Sequence, residues 1–480
     1  MTNRILINNL FYIGIIILMP ICVRAQSSER IQIERTDSLH SLLIEGQRVN
    51  KLIGNVRLRD RNRVFESDSA YHFVDRERIE AWGNIQIEGV KEIIWSDVMV
   101  YTAADDVGRL SGNVVLLQDS LTLFSTTVSY NFTDETATFP SKLQLIDSKS
   151  ILLADSGIFF NVADSAVFRG NVQLADSTSY LEGDSLFYKR DSGTFYMRGS
   201  IYGENRSDSI RFRGLTIYGD STGYKRVENG SLIEKIGKNG ADTTYVEANK
   251  LEYFRLVESY LVDAYGDATV WNPEYAARAD TIVYADSLSM VQLNGASRIW
   301  QNNLQLSSDR QFIYLNDSEV DSLVATKSPF AVLQDSITSR FQQLSGSSLT
   351  VVFDSSKVDR IIVPSGTELL YFPVNEADEP DGAILVRMQY LLLSFFDGEI
   401  DNLSGHETID GSVYEEADDV GSMRIDGFQW EPELRPMRPL QRPEPRLIQP
   451  IRGTYPIELP HRYLRYLNQT KQQTPLPYSP

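Results

Sequence analysis

The feature that most constrains this chain is a repeat of 29 residues. Gly54-Asn55-Val56 recurs as Gly83-Asn84-Ile85 and Gly112-Asn113-Val114, then as Gly170-Asn171-Val172 after 58 residues, twice the period. The intermediate member is Ser141-Lys142-Leu143, and Gly199-Ser200-Ile201 follows 29 residues after Gly170. Beyond it the rhythm loosens through Gly230, Gly266 and Gly295 to degenerate members near Gly366 and Gly405. Spacing kept this strictly marks one supersecondary unit stacked on copies of itself, each unable to bury its apolar face alone.

The columns around the glycine define that unit. Two residues after it stand Val56, Ile85, Val114, Leu143, Val172 and Ile201, and four after it Leu58, Ile87, Leu116, Leu145 and Leu174. Two residues before it stand Leu110, Phe139, Phe168 and Met197. Polar residues intervene, and alternation with period two means strand. The glycines Gly54, Gly83, Gly112, Gly170, Gly199, Gly266 and Gly295 fall in phase with the apolar columns. A bend with no room for an inward Cβ is therefore expected at each. A second column, Asp68, Asp97, Asp155, Asp184, Asp280 and Asp309, always follows a small residue, and Tyr101, Phe159, Tyr188 and Tyr284 come four residues later. Two bent strands per unit and ten to twelve units give about twenty to twenty-four strands, roughly 100 Å of sheet at about 4.8 Å each. The plain reading of these columns is a set of core ladders. They contact a ligand only if the interior is hollow.

Composition narrows the function. With 46 Lys+Arg against 65 Asp+Glu the net charge is −19, the wrong sign for a nucleic-acid binder. Four histidines and a lone cysteine, Cys22, leave no disulfide framework and no Cys/His zinc set. HExxH, GxSxG, Walker and dinucleotide motifs are absent, and no carboxylate pair stands out, so no catalytic residue is assigned. Asp-Ser pairs suggest calcium, but the glycine-rich nonapeptide of calcium β-rolls is missing; no metal or cofactor is expected.

The apolar run Phe11–Cys22 followed by Val23-Arg24-Ala25 reads as a signal peptide, 1–25, cut after Ala25. Residues 26–325 then form the repeats, 326–411 their degenerate continuation, and 412–480 an acidic linker and tail. Residues 431–480 hold eleven of the eighteen prolines, a density that predicts an extended chain without helix. Arg462–Leu467 is the stretch in it best suited to order.

The stretches Ile53–Leu58, Trp82–Ile87 and Ser111–Leu116, with Ser96–Tyr101 and Gly183–Tyr188 between corners, resemble the OstA-like, LptA-like domain of lipopolysaccharide transport. The resemblance covers residues 45–325 well and 326–411 weakly. It implies an all-β, elongated, V-shaped antiparallel β-jellyroll whose open groove shields acyl chains on the way to the outer membrane. The expected protein is a non-enzymatic, periplasmic carrier or scaffold, with the apolar columns as its lipid-binding groove. Its implied partners are lipopolysaccharide or another acylated envelope lipid, and fellow transport proteins joined by edge-strand pairing. The alternative is a β-solenoid-like adhesin or glycan-binding surface protein.

Overall fold

The structure, a computed structural model, describes residues 31–147, 150–237, 243–316, 319–354, 357–396, 399–407, 410–417, 419–440 and 459–470. The expected signal peptide and much of the proline-rich tail lie outside these residues.

The strands of the described residues belong to one 32-stranded sheet in which each crossing, whether one strand or two, pairs antiparallel with the crossings before and after it. It begins with Gln32–Arg35 and Ser38–Ile44, which together flank the long strand Gln47–Asp60. Sixteen strands run unbroken from one end of a crossing to the other, as Arg78–Glu88 and Val107–Gln118 do. Eight further crossings are split in two, such as Thr136–Phe139 with Leu143–Ile146, so the 32 segments make 24 crossings. Every crossing from Glu319 onward is split, down to Glu399–His406 and Asp410–Tyr414 at the last edge.

Each crossing bends at its corner, and the bends stack. They fold the sheet into two walls that share one interior: an elongated antiparallel β-jellyroll. The first wall holds halves such as Val49–Ile53 and Ser69–Phe73, and the second holds Val56–Asp60 and Arg63–Ser67. The sequential meander excludes the β-solenoid alternative, whose strands would pair in parallel between rungs.

The tail departs from expectation. A helix spans His461–Thr470, directly after Pro460 and in a gap between prolines. Its Tyr463 packs against Trp95 and Phe124, with centroids at 5.0 and 6.3 Å, on the outer face of the second wall. Arg462 pairs with Glu66. Residues 419–440 dock on the same outer face further along. Phe428 and Trp430 lie against Phe341, Gln305 donates to the Gln429 carbonyl at 2.9 Å, and Arg438 reaches Tyr245. Nor is the acidic stretch simply solvated: Glu416 accepts from Arg340 at 2.8 Å and from the Gly382 amide at 2.9 Å. The local sequence permits this because the second wall is apolar on both faces. Its strands read as unbroken apolar runs, Ile93-Ile94-Trp95 or Val114-Val115-Leu116-Leu117, the signature of burial on two sides.

Candidate functional site

The corner is the element that positions everything else. Between Ile53 and Val56 the register slips so that Gly54 and Asn55 together oppose Asp68. This is a β-bulge, with Gly54 at φ +78° and Asn55 at φ +45°. The bulge turns the corner glycine to the outer side while the flanking columns, Leu110 and Val114 among them, stay inside, so the corner glycines do not face the interior as their phase suggested. A Cβ on Gly112 would instead lie 2.4 Å from the Asp97 carboxylate on the neighbouring strand; on Gly83 it would meet Asp68 at 2.5 Å. The Asp and Gly-Asn columns are therefore two halves of one device. Asn84 donates to Asp68 at 2.7 Å, Asn171 to Asp155 at 2.6 Å, and Asn113 to Asp97 through both side chain and backbone at 2.9 Å. At the degenerate member, Ser141 takes over, bonding to Thr127 at 2.7 Å. The small residue before each Asp faces inward where the walls converge; Ser96 is fully buried.

From this corner the predicted columns project into the interior. Val56, Leu58, Ile85, Ile87, Val114, Leu116, Leu143, Val172 and Ile201 are buried, as are Leu110, Phe139, Phe168 and Met197 opposite them. Leu145 and Leu174 are half-buried against the same cluster. All of these residues thus meet in one apolar interior, running from Ile31 to Val227. A second apolar interior continues it from Ala248 to Leu393.

The two interiors differ at their mouths. Over the first, bonds join the rims of the two walls. Arg63, on the second-wall rim, reaches Asp106 on the first-wall rim at 2.5 Å and Asp60 at 3.3 Å, with the Phe132 ring 4.4 Å from its guanidinium. The Tyr101 hydroxyl donates to Asp60 and lies 2.8 Å from Asp106, and Arg61 reaches Asp106 at 3.2 Å. Lys91 to Glu135 and Arg190 to Asp119, both 3.7 Å, extend the latch along the mouth. Burial alone would raise the Asp106 pKa, but the bonds from Arg63 and Tyr101 outweigh it and hold Asp106 below its ordinary value. Burial and the bond to Asp60 push the Tyr101 phenol up. Glu92, buried beside this latch, is also pushed up by burial. Among the described residues, the rim-bridging bonds end at Arg190.

Past that point the inward apolar side chains open to solvent. Phe195, Phe212, Ile233, Val246, Val291, Phe353 and Ile361 are half-buried. The +2 and +4 columns stop at Ile201, although the Gly, Asp and Tyr columns continue into this region at Gly266, Asp280 and Tyr284. Of the latch residues Tyr101 stands in a sequence column; the charged ones sit in or beside hairpin turns, where polar residues are ordinary.

No group of three or more His, Cys, Asp and Glu is placed to hold a metal among the described residues. What the geometry defines is a long apolar interior between two walls, with polar rims and outward-facing Asp–Asn corners.

Comparison with known proteins fits that class. The family model described as OstA-like protein matches residues 28–184, about a third of the chain. That segment, residues 28–184, is therefore similar to the OstA-like family. A solved structure similar to it is LptH from Pseudomonas aeruginosa, described as the LptA homologous periplasmic component of the conserved lipopolysaccharide transport device. It shares 18% identity, over 31% of this chain and 82% of that one, with a TM-score of 0.18. No curated protein matches.

Proposed function

We propose that the protein is an exported, periplasmic carrier or scaffold that shields the acyl chains of lipopolysaccharide between its two walls during outer-membrane assembly. The observation that carries this reading is the continuity of the inward apolar columns along the stacked crossings, on a domain matched by the OstA-like family model. Hydrocarbon in water costs about 0.8 kcal/mol per CH₂, so a lipid with several acyl chains needs cover to cross an aqueous gap. In this reading Val56, Val114, Val172 and their column neighbours line the acyl path, and the walls part where ligand enters. The chain's role is non-catalytic. The terminal strands Ser38–Ile44 and Asp410–Tyr414 are exposed edges suited to β-augmentation by other transport jellyrolls.

The test is co-elution of the delipidated protein with intact lipopolysaccharide and, separately, with the polysaccharide freed of lipid. Retention of the intact molecule alone is expected. Equal retention of the free polysaccharide would favour a glycan-binding role.

A further inference from the structure

Where the latch ends, the rim of the first wall changes character. Lys225 pairs across the strands with Tyr253, its ammonium 5.3 Å from the ring centroid. Arg255 lies two residues beyond Tyr253 on the same strand. Neither cation makes an ion pair or a side-chain hydrogen bond with the described residues, in a chain with nineteen more acidic than basic residues. Burial, and then the neighbouring Arg255, lower the Lys225 pKa, against an opposing pull from Asp208 on the other rim. Two adjacent cations repel, and Asp208 on the other rim offsets that repulsion only in part, since the Lys225 pKa stays lowered. Beside them run the rings of Tyr253, Tyr260 and Tyr284, each 5.6 Å from the next. Tyrosines and a lysine at the lip of an apolar space have the form of a water–hydrocarbon boundary, with apolar bodies below and polar tips above. The half-buried Phe195 lies two strands away at the same rim, in register with Lys225 through Gly219, and the half-buried Phe212 stands on the opposite wall.

We propose that Lys225 and Arg255, flanked by the tyrosine row, form a headgroup site whose ligand is the phosphate of an acylated amphiphile with its chains in the unlatched interior. The proposal rests on the carrier reading and adds to it a location and a chemical determinant. The phosphate would take the two cations as charge-assisted donors, while the acyl chains continue into the space that Phe195 and Phe212 line.

The experiment uses the full mature chain and two synthetic lipids with identical acyl chains and sugar, one phosphorylated and one not, with inorganic phosphate as competitor. The wild type should bind the phosphorylated lipid about 10-fold more tightly, the equivalent of one charge-assisted contact. Lys225→Gln with Arg255→Gln should remove that preference and leave affinity for the phosphate-free lipid and the circular dichroism unchanged. Equal affinity of the wild type for both lipids, or a preference that survives the double substitution, overturns the site while sparing the carrier reading. Competition by phosphate alone at comparable concentration overturns the lipid as its ligand. Binding of neither lipid removes site and carrier reading together.

Discussion

Replacing Gly112 by alanine should be costly because of Asp97, and removing Asp97 should relieve most of that cost. Gly112 has φ +97°, a region where an L-residue costs about 1–2 kcal/mol. A Cβ there would lie 2.4 Å from the Asp97 carboxylate oxygen and 2.6 Å from its Cβ. Overpacking of this kind commonly costs about 1–3 kcal/mol. The single substitution should therefore cost about 2–5 kcal/mol. In an Asp97→Gly background, which removes the Cβ at 2.6 Å as well as the carboxylate, only the backbone part remains, about 1–2 kcal/mol, giving a coupling of about 1–3 kcal/mol. Asn113→Ala removes one side-chain donor and keeps the backbone bond to Asp97, so it should cost only about 0.5–1.5 kcal/mol. Stacked repeats open locally, so the assay is native-state hydrogen exchange of the amides in Glu92–Thr102 and Val107–Gln118. Additivity of the two substitutions within about 0.5 kcal/mol would refute the corner device.

Four further outcomes follow from the same structure. Asp106 has a lowered folded pKa, so the stability it contributes is present above the unfolded value of 3.8 and is lost as pH falls through the folded value. Acid should thus speed exchange at the latch hairpins before the corners, and Arg63→Gln should do the same at neutral pH. Glu92 has a raised pKa, so its burial costs stability at neutral pH; Glu92→Gln should stabilise at pH 7 and lose that advantage on acidification. Tyr463→Ala, at a fully buried ring, forfeits about 3–5 kcal/mol and should undock the helix and red-shift Trp95 emission without loosening the sheet. Ending the chain at residue 418 bares Trp300, Phe330 and Phe341 on the outer face and should drive concentration-dependent association, read by sedimentation; a truncated chain that stays monomeric would count against an adhesive outer wall.

Much of the fold was legible because its determinants are local and repeat. The Gly-Asn corner, the small-residue–Asp corner and the columns beside them recur at fixed offsets, and each maps to one place in a crossing. The glycines depart from the phase of their columns because the bulge sets two residues against one Asp; alternation resumes unchanged beyond it, and the shift of phase falls on the Asp strand, between Ser96 and Met99. The latch joins turns 41 to 71 residues apart, and no column records a contact between two hairpin tips. Lys225 escaped notice for the same reason: an isolated lysine at a strand end acquires meaning only beside Tyr253 and Arg255. The outer face was foreshadowed by runs such as Val114–Leu117, whose loss of alternation signalled a second covered side. The helix His461–Thr470 was obscured by the proline count of the tail, although no proline falls inside it.

The most direct test of an acyl-binding interior compares two adjacent residues on one strand. Phe195 points into the interior next to Gly219, and Tyr196 points outward, where its hydroxyl accepts from Arg198 at 3.0 Å. A benzophenone side chain is placed at each in turn, and the protein is irradiated in envelopes containing native lipopolysaccharide. Crosslinking from position 195 and little from position 196 is the predicted result; equal labelling from both, or from neither, would contradict an interior that carries lipid.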